Sequence, residues 1–298
     1  MQPEPTIGII GAGRAGGALA VALHEAGWRV VALYSRAPDA ARSLAARIGA
    51  VAAATPVDVA RGAGLVWIAT PDAAIAPVCR VVAEAGGWRA GQGVIHCSGA
   101  LGREALDAAA RCGALTGGFH PLQTLAGPDT AGRLRGAYVA LDAGPPLAET
   151  LWELATAIGA RPFALHEHDR ALYHAAAVMI ANYTIALYTC GVRLLEIAGL
   201  PEEVQARALL PLVRGVVASL ESTAPAEALT GPLARGDVAT VARHLAALER
   251  RAPELLPLYC GLGRAALELA RAQGLPDDSA AALARLLEGA PDEDIVDG

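Results

Sequence analysis

Gly11-Ala12-Gly13-Arg14-Ala15-Gly16 is a G-x-G-x-x-G set lying between the apolar run Thr6–Ile10 and an alanine-rich stretch. Glycine first allows a tight turn, glycine third lets a pyrophosphate approach the backbone, and glycine last lets a helix pack against a strand. The backbone amides of Arg14 and Ala15 then fall in the first turn of the helix, whose unpaired N–H groups and positive dipole end attract phosphate. The spacing therefore predicts a dinucleotide site at Gly11, Gly13, Arg14, Ala15 and Gly16.

The residues Tyr34-Ser35-Arg36 decide which dinucleotide. An NAD site places Asp or Glu at the end of the second strand, to accept hydrogen bonds from the ribose hydroxyls. A hydroxyl at Ser35 and a guanidinium at Arg36 suit a 2′-phosphate instead, because arginine binds phosphate bidentately. NADP(H) is the expected cofactor. Thr70-Pro71-Asp72 follows the third clear strand, where Thr70 and Pro71 should cover the cofactor and Asp72 should cap the next helix.

Proton chemistry has a short set of candidates. His120 follows Phe119 at a strand end and has an ordinary pKa near neutrality, so it could donate a proton. Gln123, three residues on, is a candidate substrate contact. Ser98 ends another strand and could cap the loop or bond the substrate. His174 and Asn182 lie eight residues apart in an apolar helix, about 80° apart around its axis. Polar groups in so apolar a segment must find partners. Arg235 is the charge offered to a substrate anion. All 24 basic side chains are arginine, which excludes a lysine acid or Schiff base. His166 and His168 sit in a polar turn and read as solvated, and no metal is expected.

Alternating strands and helices must position these groups. Strands are expected at Thr6–Ile10, Arg29–Tyr34, Gly64–Ala69, Gly93–Cys97, Leu115–Phe119, Tyr138–Leu141 and, at the sheet edge, Arg161–Leu165. Helices are expected at Ala15–Ala26, Ala40–Ile48, Asp72–Ala85 and Thr150–Ile158. From Asp169 the period is helical throughout. It breaks at Gly199-Leu200-Pro201, Thr230-Gly231-Pro232, Arg235-Gly236-Asp237 and Gly274-Leu275-Pro276, with Asp237 as an N-cap. The fold class expected is an α/β Rossmann dinucleotide-binding domain, residues 1–150, followed by an all-helical C-terminal domain, residues 151–298. The chain ends in an acidic run, Pro291–Gly298.

Composition narrows the classes. The 298 residues are 54% hydrophobic and 18% charged, with net charge −6, so the chain can build large cores and lacks the basic field that nucleic acid requires. Its five cysteines, Cys79, Cys97, Cys112, Cys190 and Cys260, are odd in number and unpaired in spacing. They are expected to be small buried hydrophobes in a reducing cytoplasm, and the N-terminus lacks a signal-peptide pattern. Ala171–Val192 holds 22 residues without a formal charge, roughly 33 Å of helix and enough to cross a bilayer. Its His174, Asn182, Thr184, Thr189 and three tyrosines favour a helix buried on all sides at the interface of a homodimer, with no membrane partner.

Six motifs together, GAGRAG at 11–16, ATPDAAI at 69–75, HCSGA at 96–100, FHPLQT at 119–124, YHAAAVMIAN at 173–182 and ALTGPLARGD at 228–237, resemble the proteins that join Rossmann-like and DUF2520 domains. These are two-domain oxidoreductases related to the 6-phosphogluconate dehydrogenase C-terminal-like superfamily. The resemblance implies a helical, dimerising C-terminal domain and an active site between the domains. HPLQ at 120–123 is similar to the HP motif of prephenate dehydrogenases, whose histidine contacts the reacting hydroxyl. Asn182 resembles the asparagine of the KxxxN pattern of β-hydroxyacid dehydrogenases and ketopantoate reductases. The lysine of that pattern falls on Val178, so His120 or His174 would have to replace it as the acid. The expected activity is hydride transfer between NADP(H) and a small carbonyl or alcohol compound carrying a carboxylate, such as a 2-oxo acid. The alternatives are an imine reductase like pyrroline-5-carboxylate reductase and a nucleotide-binding sensor without turnover.

Overall fold

The computed structural model describes residues 5–288, and the acidic run Pro291–Gly298 lies outside them. In chain order the elements are β1 (Ile7–Ile10), α1 (Arg14–Glu25), β2 (Val30–Tyr34), α2 (Pro38–Ile48), β3 (Val51–Ala52), α3 (Pro56–Gly62), β4 (Leu65–Ile68), α4 (Asp72–Glu84) and β5 (Gly93–His96). They continue as α5 (Asp107–Ala110), β6 (Leu115–Pro121), β7 (Tyr138–Ala143), α6 (Leu147–Ala157) and β8 (Arg161–Ala164). After the long α7 (Arg170–Ile197) come α8 (Glu202–Ala208), α9 (Leu210–Ser222), α10 (Pro225–Ala228), α11 (Val238–Arg251), α12 (Leu256–Ala272) and α13 (Asp277–Glu288).

Two compact units divide the chain between Ala181 and Asn182. The first is built on one eight-stranded sheet in the order β3-β2-β1-β4-β5-β6-β7-β8. β1, β4 and β5 are buried at every position, as strands covered on both faces must be. One layer of core gathers Ile9, Leu19, Leu33, Trp67, Ile95, Phe119 and Leu151. The other gathers Ile10, Val66, Ile68, Ile75, Val94 and Leu106. Trp67 meets Phe119 edge to face, with centroids 6.0 Å apart. All neighbours run parallel except β6 and β7, which pair antiparallel with His120 opposite Ala140 and Gly118 opposite Asp142. The second unit packs α11, α12 and α13 around Val241, Cys260, Leu267, Leu283 and Leu287. Asp237 caps α11 as expected, its carboxylate accepting from the Thr240 N–H at 2.9 Å.

The structure differs from several expectations. The division falls inside α7, some thirty residues past the expected domain limit at 150, because β8 and the first turns of α7 complete the sheet unit. β3 and α3 escaped the sequence reading: a two-residue strand shows no alternation, and α3 is only seven residues long, fixed by a Thr55–Asp58 capping box. The helix expected to be buried at the interface of a homodimer is, within this one chain, largely uncovered. Within α7 only Arg170 is buried, and Leu172, Ile180 and Ile185 are exposed. The segment Glu167–Ile197 is long and apolar enough to cross a membrane by length and composition. Of the cysteines, Cys79 and Cys260 are buried, Cys97 and Cys190 are half-buried and Cys112 is exposed, so that expectation held for only part of the set.

Candidate active site

Gly11 sits at φ +111°, and a Cβ there would meet the Ala69 carbonyl oxygen at 2.6 Å. A Cβ at Gly16 would lie 2.1 Å from the Gly11 oxygen. The protein's own packing therefore demands both glycines. Gly13 differs: it is exposed, and a Cβ there would meet nothing within 4 Å. It immediately precedes α1 and gives that helix no side-chain cap. The first-turn N–H groups, at Arg14, Ala15 and Gly16, lie too early in the helix for intrahelical acceptors. Open space beside an uncapped helix N-terminus is the shape a pyrophosphate needs, so the loop fits a dinucleotide.

At the end of β2 a cavity of about 390 Å³ is lined by Tyr34, Ser35, Arg36, Pro38, Arg42 and Ala53, among others. Ser35 and Arg36, expected from the sequence as phosphate ligands, both line it. Arg42 was not expected, because it lies a turn inside α2, where it pairs with Asp39. Two guanidiniums thus border this cavity. The Thr70 hydroxyl, in the loop after β4, is buried without a hydrogen-bond partner, and Pro71 precedes α4.

The second group of side chains stands on β5, β6 and the first turn of α7. His120 Nδ1 and the Tyr173 hydroxyl are 2.6 Å apart, and their rings meet edge to face. His174 lies with its ring centroid 6.2 Å from that of His120. Gly99 occupies the space between them: a Cβ there would come within 2.8 Å of both His120 Nε2 and His174 Nδ1. The His174 Nδ1 is buried without a partner. His96 is fully buried; its Nδ1 accepts from the Ser98 N–H at 3.2 Å, which places the ring proton on Nε2, and that atom too lacks a partner. Arg170 is buried and donates to Asp142 at 2.7 Å, and Arg103 reaches the other Asp142 oxygen at 3.1 Å.

These surroundings set protonation. Burial, then the neighbouring His174 and Arg170, push His120 down to about 4, so its imidazole is neutral at pH 7. That corrects the expectation of a histidine titrating near neutrality. Burial and Arg170 also lower His96. Burial pushes the Tyr173 phenol up to about 12, against the charge of Arg170.

Ser98 and Asp72 have other tasks. The Ser98 hydroxyl donates to Asp72 at 2.8 Å and accepts from the Ala100 and Leu101 N–H groups at 3.1 and 3.0 Å. It therefore holds the loop after β5. Asp72 is not an N-cap, since Pro71 precedes α4 and no side chain caps it. Gln123 is exposed, its amide donating to the Arg133 carbonyl at 3.4 Å and accepting from the Thr124 N–H at 2.8 Å. Asn182 and Arg235 belong to the second unit, and both are exposed. Tyr173, Arg170 and Asp142 were missed by the sequence reading. The signal for Tyr173 was its place beside His174, but its partner is 53 residues away.

Residues 1–121 match the Rossmann-like domain family, and residues 137–266 match the domain of unknown function DUF2520. No curated protein matches the sequence. A “putative NADP oxidoreductase” from Bacteroides fragilis superposes with a TM-score of 0.73 at 27% identity, covering 89% of this chain and 98% of its own. An imine reductase from Myxococcus stipitatus in complex with NADP+ gives a TM-score of 0.60 at 22% identity, covering 95% of this chain and 100% of its own. A pyrroline carboxylate reductase from Plasmodium falciparum with NADP bound gives 0.59 at 13% identity, covering 95% and 98%. The latter two share the fold. Along this one chain a match to the Rossmann-like domain family is thus followed by a match to the DUF2520 domain family.

Proposed function

We propose that the protein is an NADP(H)-dependent oxidoreductase acting on a small carbonyl or alcohol compound that carries a carboxylate, with a 2-oxo acid as the leading substrate class. The observation that carries this reading is the hydrogen-bonded His120–Tyr173 pair in a unit that also holds the open glycine loop at Gly13. The name of the Bacteroides fragilis relative supports the cofactor. The backbone of Gly13, Arg14, Ala15 and Gly16 would hold the pyrophosphate, and Ser35, Arg36 and Arg42 the 2′-phosphate. The bound nicotinamide supplies or takes the hydride.

Reducing a carbonyl leaves an alkoxide that must receive a proton. The phenol of Tyr173 and the neutral imidazole of His120 hold two transferable protons in one hydrogen-bonded chain. The alkoxide takes one from the end of the chain it reaches, and the other shifts along the bond. No lysine is required, which suits a chain that has none. Gln123 is proposed to bind the substrate, so its alanine variant should raise KM.

A second reading is imine reduction, supported by the names of the Myxococcus and Plasmodium relatives. The same pair would then deliver its proton to nitrogen. We read the protein as a soluble cytoplasmic enzyme, in keeping with its unpaired cysteines. A 340 nm assay of the purified chain with NADPH across 2-oxo acids and cyclic imines tests the proposal. Turnover with one class is expected, falling about 10²–10⁴-fold in His120→Ala with NADPH affinity nearly unchanged. NADPH binding without turnover on any compound would leave a sensor and overturn the enzyme reading.

A further inference from the structure

Arg170 is the first residue of α7, and Tyr173 and His174 follow it at the i+3 and i+4 positions, so all three share one face of the helix. The Arg170 side chain is 5% exposed, and its bond to Asp142 ties that face to β7. Asp142 stands opposite Gly118 in the β6–β7 ladder, two residues from His120. A Cβ at Gly118 would meet both His96 Nε2 and the Arg170 guanidinium, at 3.5 and 3.7 Å. The arginine therefore lies where β5, β6, β7 and α7 converge, and its Nε remains buried without a partner. A buried guanidinium held this way costs desolvation that its single carboxylate contact only partly offsets. Such a group is poorly explained as a stabiliser.

We propose that Arg170, clamped to Asp142, is a positioning residue that seats Tyr173 against His120 and keeps a fixed positive charge beside the pair. The inference rests on the reading of that pair as the proton-handling group. The clamp fixes where the first turn of α7 meets the sheet. The charge opposes protonation of His120, as do burial and His174; Asp72 acts the other way, and His96 adds a smaller like-signed effect. The charge also favours proton loss from Tyr173 against the effect of burial. Through both effects Arg170 keeps the imidazole free to accept and makes the phenol a readier donor.

The test follows the His120 ring signal by NMR against pH in the full chain, assigned by its loss in His120→Asn. The wild type should titrate near pH 4. Arg170→Gln should raise the midpoint by about one unit, a tenfold gain in proton affinity. Arg170→Lys, which keeps the charge, should leave it close to the wild-type value. If Arg170→Gln fails to fold, the Asp142→Asn/Arg170→Gln pair, which removes both charges and keeps a hydrogen bond, replaces it with a smaller rise in the same direction, because the lost carboxylate charge acts the other way. A midpoint unchanged within a few tenths in the neutral variant overturns the proposal, and so does an equal rise in Arg170→Lys. Once a substrate is known, Arg170→Gln should lower kcat at least tenfold with KM nearly constant. The titration needs no turnover, so failure of the oxidoreductase reading would show separately, as the expected rise in Arg170→Gln in a protein that turns over no substrate.

Discussion

His120 faces Tyr173 and His174 on α7, while Ser98, in the loop after β5, is bonded to Asp72 at the start of α4. Its lowered pKa makes stability pH-dependent in a definite direction. In the unfolded chain the imidazole takes up a proton near its ordinary value of 6.5, while in the folded chain it does so only near 4. Between those values the unfolded state binds more protons, so stability falls as the pH drops from 6.5 to 4 and is fully present above 6.5. The loss should reach about 3 kcal/mol from His120, and His96 is shifted in the same direction. Denaturant unfolding at pH 4 and pH 7 checks this, and His120→Gln should flatten much of the difference. An unmoved midpoint across that window would contradict the burial argument. The type and strand-end place of His120 were legible in the sequence, but its low pKa was not. That depends first on burial and then on His174 and Arg170, which reach it only through the packing of α7 on the sheet.

Among the elements, the loop between β1 and α1 separates two uses of glycine that the sequence motif merges. Gly16→Ala forces a methyl within 2.1 Å of the Gly11 carbonyl oxygen, and should cost about 1–3 kcal/mol through overpacking. Gly13→Ala meets no protein atom, and should cost about 1 kcal/mol or less. Yet it should weaken NADPH binding at least tenfold, because its methyl enters the space reserved for the pyrophosphate. Thermal melts alongside dinucleotide titration decide the matter. A Gly13→Ala variant with full affinity would mean that the phosphates lie elsewhere. The strand-turn-helix unit was readable because each glycine sits at a fixed offset from a continuous apolar run. Arg42 and Tyr173 were not, since each enters its site from a helix through tertiary packing rather than through local spacing.

Over the whole molecule, the long α7 leaves Leu172, Met179, Ile180 and Ile185 exposed, and α9 leaves Leu212, Val216 and Val217 exposed. Large apolar side chains left open along a helix mark a binding face, and we propose a second copy of this chain as the occupant of α7, in a symmetric dimer. Sedimentation at micromolar concentration should give about twice the chain mass without detergent. A monomer, or a protein soluble only in detergent, would contradict it. The sequence showed the missing charges of this helix, and these pointed to burial at a subunit interface rather than under its own chain alone.

The central claim, an oxidoreductase site selective for NADP(H), is tested most directly by titrating the chain with NADPH and with NADH. Ser35, Arg36 and Arg42 line a cavity suited to a 2′-phosphate, and one charge-assisted bond is worth about 1.5–3 kcal/mol. NADPH should therefore bind roughly ten- to a hundred-fold more tightly than NADH, and Arg36→Ala should erase most of that difference. Equal affinity for the two dinucleotides in the unaltered protein would contradict the account.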